Sequence, residues 1–149
     1  MRVLLFILGF SLVGFVSPAQ METMKVDSWK IKWNNKTVLE TSREDESSNT
    51  IKIKKDDLKK KYTLEIVYKE GDVANTKNWK RSILFYDDAD NGLMTKDSTR
   101  SVKLSAAQLK KLFGDKKTVK IYTMAIPTDP DLAARVRVRR VHLCTLELR

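Results

Sequence analysis

The 149-residue chain carries 29 Lys and Arg against 19 Asp and Glu, a formal charge of +10, and has 42% apolar residues with a single cysteine and a single histidine. One cysteine excludes a framework of intrachain disulfides, and one histidine excludes the two-histidine, one-thiolate set of a blue-copper site. A chain of this length fits one domain that buries roughly two-thirds of its extended surface, while its positive field favours anionic surfaces and weakens with salt.

The first segment reads as an export signal. Met1 and Arg2 give a short positive start, VLLFILGFSLVGFV an apolar run over residues 3–16, and Ser17 and Ala19 the small residues that suit cleavage after Ala19. The expected division is a secretory signal peptide over residues 1–19 and a single β-sandwich domain over residues 20–149. Gly9, Ser11 and Gly14 interrupt the apolar run, which is short for crossing a bilayer. No later segment has the length or apolarity of a membrane helix, so no membrane span is expected after the signal is removed. An exported chain without disulfides fits a secreted or periplasmic location, and a bacterial source in particular. Such an address argues against nucleic acid as a partner and for an envelope or extracellular protein, or an anionic glycan.

From residue 28 onward the dominant apolar period is two. SWKIKW puts Trp29, Ile31 and Trp33 on one face and Lys30 and Lys32 on the other; Asn34 and Asn35 then tolerate the left-handed backbone of a tight hairpin before KTVLET. Asn35-Lys36-Thr37 also matches the N-glycosylation acceptor pattern, a short and common one. Residues 42–49 form a polar, acidic loop. Further strands are expected at TIKI (residues 50–53), YTLEIVY (62–68), RSILFY (81–86), SVKL (101–104) and TVKIYTMA (118–125), all rich in branched and aromatic side chains. Trp79, in NTKNWK, is expected to cover a sheet edge or to belong to a recognition surface.

SAAQLKKLFG predicts one short helix. Ser105 stands at the N-cap, Gln108 at the capping-box position, Leu109, Leu112 and Phe113 on one stripe, and Gly114 at the terminating turn. The helix is too short to stand alone and should plug one end of the sheets. TIKIKKDDLKK (residues 50–60) aligns without gaps on SVKLSAAQLKK (residues 101–111), a weak internal echo that places Asp56, Asp57 and Leu58 in a short cap. IPTDPD (residues 126–131) reads as a proline-stiffened connector, followed by a long extended tail from Ala134. Neither face of that tail alternates cleanly. A bulge near Arg139 and Arg140 would turn Val136, Val138, Val141 and Leu143 inward, and a second shift would be needed for Leu146 and Leu148. The expected fold is thus all-β: an immunoglobulin-like or related two-sheet sandwich of seven to eight strands with one or two helical turns.

Four sets of residues are candidates for chemistry. His142 and Cys144 share one strand face at about 6.6 Å of backbone rise, but no local donor marks an oxyanion hole and a thiol needs an accessible thiolate. Asp87, Asp88, Asp90, Asn91 and Asp97 crowd one loop as hard oxygen ligands for calcium or a polar ligand, although Gly92 takes the place of a third EF-hand ligand and no closing glutamate follows. Arg135, Arg137 and Arg139 could form an anion-binding ladder on an outward strand face. Lysines crowd two regions, Lys52, Lys54, Lys55, Lys59, Lys60 and Lys61 in one and Lys110, Lys111, Lys116 and Lys117 in its echo. Solvation of an exposed sheet is the plainer account of these charges. No catalytic set, cofactor motif or metal-ligand spacing is assembled. The expected role is a non-catalytic binding or assembly module at the cell envelope or outside the cell, with a polyanion-binding domain and a small secreted hydrolase as alternatives.

Overall fold

Period-two segments hide their apolar side chains only when two sheets close on each other. The computed structural model describes residues 25–72 and 76–149; the signal peptide expected over residues 1–19 lies outside them. The described residues form nine strands, β1 (Ser28–Trp33), β2 (Lys36–Thr41), β3 (Thr50–Ile53), β4 (Thr63–Lys69), β5 (Trp79–Tyr86), β6 (Gly92–Lys96), β7 (Ser101–Ser105), β8 (Thr118–Pro127) and β9 (Val141–Leu148). They include helices α1 (Ala106–Phe113) and α2 (Pro130–Arg135), and a 3₁₀ turn at Lys55–Lys59. An antiparallel sheet ordered β2-β1-β4-β7 packs on a mixed sheet ordered β3-β9-β8-β5-β6, in which β3 and β9 run parallel. The chain is a β-sandwich.

One continuous interior joins the layers. Trp29, Ile31, Leu64, Ile66, Val102 and Leu104 of the first sheet pack with Ile53, Ile83, Phe85, Val119, Ile121 and Leu146 of the second. Each large apolar side chain fully withdrawn from water contributes about 1.5–3 kcal/mol before entropy is counted. The Trp29 indole Nε1–H donates to the Leu143 carbonyl at 2.7 Å and ties β1 to β9. Helix α1 buries Leu109, Leu112 and Phe113 against this interior, its Ser105–Gln108 capping box is complete, and Gly114 takes a φ of 55° at its end. Asn34 and Asn35 carry φ of 49° and 65°, the left-handed pair that a two-residue hairpin between β1 and β2 requires.

Three sequence expectations are corrected. Residues 92–96, read as part of an acidic loop, form edge strand β6 against β5, with Leu93 and Met94 partly buried on the core. Five residues with one turn of alternation give too weak a periodic signal to separate a short edge strand from a loop. The extended tail from Ala134 does not exist as such. Asp129 caps α2 through Asp131 and Leu132, Pro130 sits in its first turn, and regular strand begins only at Val141. The two shifts expected in the tail reduce to one, between Ile121 and Tyr122 of β8: Ile121 pairs with Cys144 and Tyr122 with His142, leaving Leu143 as the extra residue. That single bulge buries both Leu143 and Cys144 and keeps Leu146 in the core.

One arginine enters the interior. Arg81 falls two residues before Ile83 and lies buried, with its guanidinium 4.1 Å from the Tyr68 ring centre. It donates to Glu70 at 3.0 Å and to Thr123 at 3.2 Å, while Arg100 donates to the same carboxylate at 2.9 Å. Burial alone raises the Glu70 carboxyl, but hydrogen bonds from Arg100, Arg81 and Thr76 outweigh it and hold the group below its ordinary value. Trp79 begins β5 opposite Pro127 and is half-buried.

A lysine-rimmed cleft between the 3₁₀ turn and helix α1

Strand pairing brings the two lysine regions together. β4 pairs with β7 so that Thr63 stands opposite Ser105, and the chain on either side of that pair carries Lys59, Lys60 and Lys61 and the first turns of α1. The Ala106 N–H donates to the Tyr62 carbonyl at 3.1 Å, fixing the helix start to the strand start. Asn34 closes the end of the arrangement: its backbone N–H donates to the Thr63 carbonyl at 2.9 Å, and its side-chain oxygen accepts from the Thr63 N–H at 2.9 Å. Between these elements opens a cleft of about 770 Å³, walled by Leu58, Tyr62, Ala106 and Ala107 and rimmed by Lys59, Lys60, Lys61 and Lys110.

The rim is only partly neutralised. Lys59 pairs with Asp56 at 2.8 Å and Lys60 with Asp57 at 3.0 Å, both exposed contacts three residues apart. The hydrogen bond from Asp56 raises the Lys59 ammonium, and the reciprocal bond lowers the Asp56 carboxyl. Tyr62 stacks on Trp33 with ring centres 4.2 Å apart. It is 5% exposed, and its hydroxyl has no hydrogen-bond partner. Burial, with the Asp57 charge adding to it, pushes this hydroxyl up to about 12.

The other candidates are dispersed. The Asp87 carboxylate accepts from the Ala89 and Asn91 backbone and from the Asn91 amide, closing its own turn. Asp90 takes a φ of 63° and receives both Arg140 nitrogens at 2.9 Å, and Asp97 accepts from Ser82. Among the described residues no three acidic, histidine or cysteine side chains gather to hold a metal ion. Asp87, Asp90 and Asp97 are each held by a different donor and Asp88 is exposed, so sequence crowding does not become convergence.

The arginine ladder is corrected as well. Arg135 lies in the last turn of α2 and donates to the Asp131 carbonyl, Arg137 is exposed in the irregular segment before β9, and Arg139 pairs with Glu44 at 2.6 Å. A capped helix occupies the start of what would have been their common strand. Cys144 is wholly buried, and burial raises its thiol far above the ordinary range. Burial lowers the His142 imidazole, whose Nε2 lies 2.9 Å from Thr145 Oγ1 on the opposite face of β9. The bulge at Leu143 separates that histidine from the thiol, so they form no nucleophile–base pair.

Sequence reasoning missed a second cluster besides the buried Arg81–Glu70 pair. The Arg140 guanidinium lies 4.6 Å from the Tyr86 ring centre and 5.1 Å from that of Tyr122, held there by Asp90. Its members come from β5, β8, the acidic turn and the segment before β9, so no local pattern announces it.

Set beside models of known protein families and beside curated proteins, the chain matches none. Among the described residues no helix is long and apolar enough to cross a membrane.

Proposed function

We propose that this chain is a non-catalytic binding module, exported to the cell envelope or beyond, whose ligands are anionic. The observation that carries the reading is the convergence of Lys59, Lys60 and Lys61 with Lys110 on one cleft, from segments about fifty residues apart in sequence. Two of these lysines have acidic partners one turn away, which leaves the rim with an excess of positive charge. Clustered cations of this kind draw a polyanion from solution through a field that salt screens. The apolar run over residues 3–16 supports export, and a bacterial periplasm or exterior is the setting we favour. An immunoglobulin-like relationship belongs to the same reading, supported by two facing sheets of four and five strands.

Titration with a sulfated polysaccharide at low and high salt tests this role. Binding should weaken steeply as salt rises, and reversal of the four rim lysines to glutamate should abolish it. Affinity equal in the two salts, or unaffected by the reversals, would remove the anion-binding reading. An envelope protein docking on the open edge at β2, where Val38 is exposed, is the second reading. It predicts capture of a protein partner that charge reversal in the cleft leaves intact.

A further inference from the structure

The only histidine of the chain is walled in on the outer face of the five-stranded sheet. We propose that His142 is an acid-operated latch for loop 42–49: a proton taken up at its unpartnered Nδ1 releases the loop from the edge of β9. Strand β3 covers that edge only from Thr145 to Leu148, so among the described residues no strand lies beside Val141 to Cys144 on that side. The loop takes its place. The Glu44 carboxylate accepts from the His142 backbone N–H at 3.2 Å, and the Asn49 carbonyl from the Thr145 N–H at 2.9 Å. Within itself the loop is closed: Asp45 accepts from Ser47 and Ser48, and the Asn49 amide donates to the Arg43 carbonyl. A self-contained loop of this kind leaves as a unit, hinged at its two ends.

His142 sits beneath it. Tyr122, its partner across β8, alternates with the buried Ile121 and Thr123, so the imidazole that meets its ring at 5.5 Å lies on the outer face. A side chain there is open to water unless something covers it, and His142 is 4% exposed. Its Nε2 is hydrogen-bonded to Thr145 Oγ1 at 2.9 Å, and Nδ1 is buried without a partner. Around the ring stand Glu44 and Glu46 from the loop, Lys120 and Tyr122 from β8, and Arg139 and Arg140 from the segment before β9. Lys120 lies 4.0 Å from Glu46, while Glu44 and Asp90 hold the two arginines. Burial works against the imidazolium, Glu46 and Glu44 favour it, and Lys120 opposes it; burial prevails, and the ring titrates below its ordinary value of 6.5. The closed loop thus excludes a proton that the open loop admits, and acid draws the chain towards the open form. The ratio of open to closed rises as pH falls below about 6.5, by up to about tenfold per unit, and levels off once the closed form titrates too. Burial alone also raises the Glu44 carboxyl, but hydrogen bonds from Arg139 and the His142 N–H outweigh it and hold the group below its ordinary value. The anchor therefore keeps its charge while the imidazole titrates.

One histidine gives one set of imidazole resonances, so NMR titration of the labelled protein reads the latch directly. The ring should titrate below 6.5. Over the same range the exchange protection of the His142 and Thr145 amides should fall by up to about tenfold per pH unit. That protection should lie well below that of a core amide such as Ile66, so that exchange reports loop opening and not global unfolding. His142→Phe, which keeps an aromatic ring against Tyr122, should make protection independent of pH across the range. A ring that titrates at 6.5 or above, constant protection in wild type, or protection equal to that of Ile66 would overturn the proposal. So would an equal fall in wild type and His142→Phe, which assigns the response to the carboxylates. If the variant does not fold, the wild-type curves decide alone: protection must fall where the ring titrates, and a fall confined to lower pH sinks the latch.

Discussion

Two charged regions of this sandwich show opposite uses of ionisable side chains. At one end Arg81 and Glu70 are buried and mutually satisfied, and Arg81 also engages Thr123 and the Tyr68 ring. At the cleft, Lys59 and Lys60 pair only with exposed neighbours on their own turn, and a buried tyrosine hydroxyl stays without a partner. A buried pair loses its hydration and gives specificity of packing, so each member depends on the other. Exposed lysines keep their hydration and little stability rests on them, which leaves their charge free for a ligand. The difference teaches that charge density alone does not mark a binding surface; what matters is whether the charges are already held by buried partners.

The comparison breaks first at Arg81. Arg81→Ala should cost about 3–5 kcal/mol, because it leaves the buried Glu70 with only the half-exposed Arg100 and the Thr76 hydroxyl. Urea unfolding reads this directly, and the Glu70→Leu/Arg81→Met double variant should recover part of the loss. Additive losses in that cycle would show that the two side chains act separately.

Acid sharpens the same contrast. The Glu70 carboxyl is lowered in the folded chain relative to its ordinary value of 4.5. Its contribution is therefore complete above that value and disappears as pH falls through the lower folded pKa. The urea midpoint of wild type should drop on acidification below about pH 4.5, more than that of Glu70→Gln. Parallel curves for the two proteins would contradict the assignment.

A smaller effect is expected at the helix cap. Ser105→Ala removes the side-chain oxygen that accepts from the Gln108 N–H and should cost about 1 kcal/mol, measured by the same unfolding. Smallest of all, Lys59→Met with Lys60→Met should leave the melting temperature unchanged, since both ion pairs are exposed. A clear fall would mean that the rim holds the fold together instead of serving a ligand.

Strand positions were legible where alternation ran for several residues, as in Trp29 to Trp33 and Leu64 to Tyr68. The capping box at Ser105 and Gln108 and the hairpin at Asn34 and Asn35 were legible because each is a local device read within a few residues. The last strand was not. A bulge at Leu143 changes phase in mid-strand, and Asp129 and Pro130 start a helix in what resembles a connector. Lysine clusters were visible in sequence, but their union required the pairing of β4 with β7, a contact that no local pattern encodes. Arg81 was hidden for the same reason, since nothing near it in the chain announces Thr123 as a partner.

Residue-resolved NMR of the labelled protein during titration with a short sulfated oligosaccharide tests the cleft most directly. Shift changes should concentrate at Lys59, Lys60, Lys61, Tyr62 and from Ser105 to Lys110, and should fade as salt is added. Changes centred on Arg135, Arg137 and Arg139, or spread evenly over exposed lysines such as Lys36 and Lys52, would contradict a lysine cleft as the place of binding.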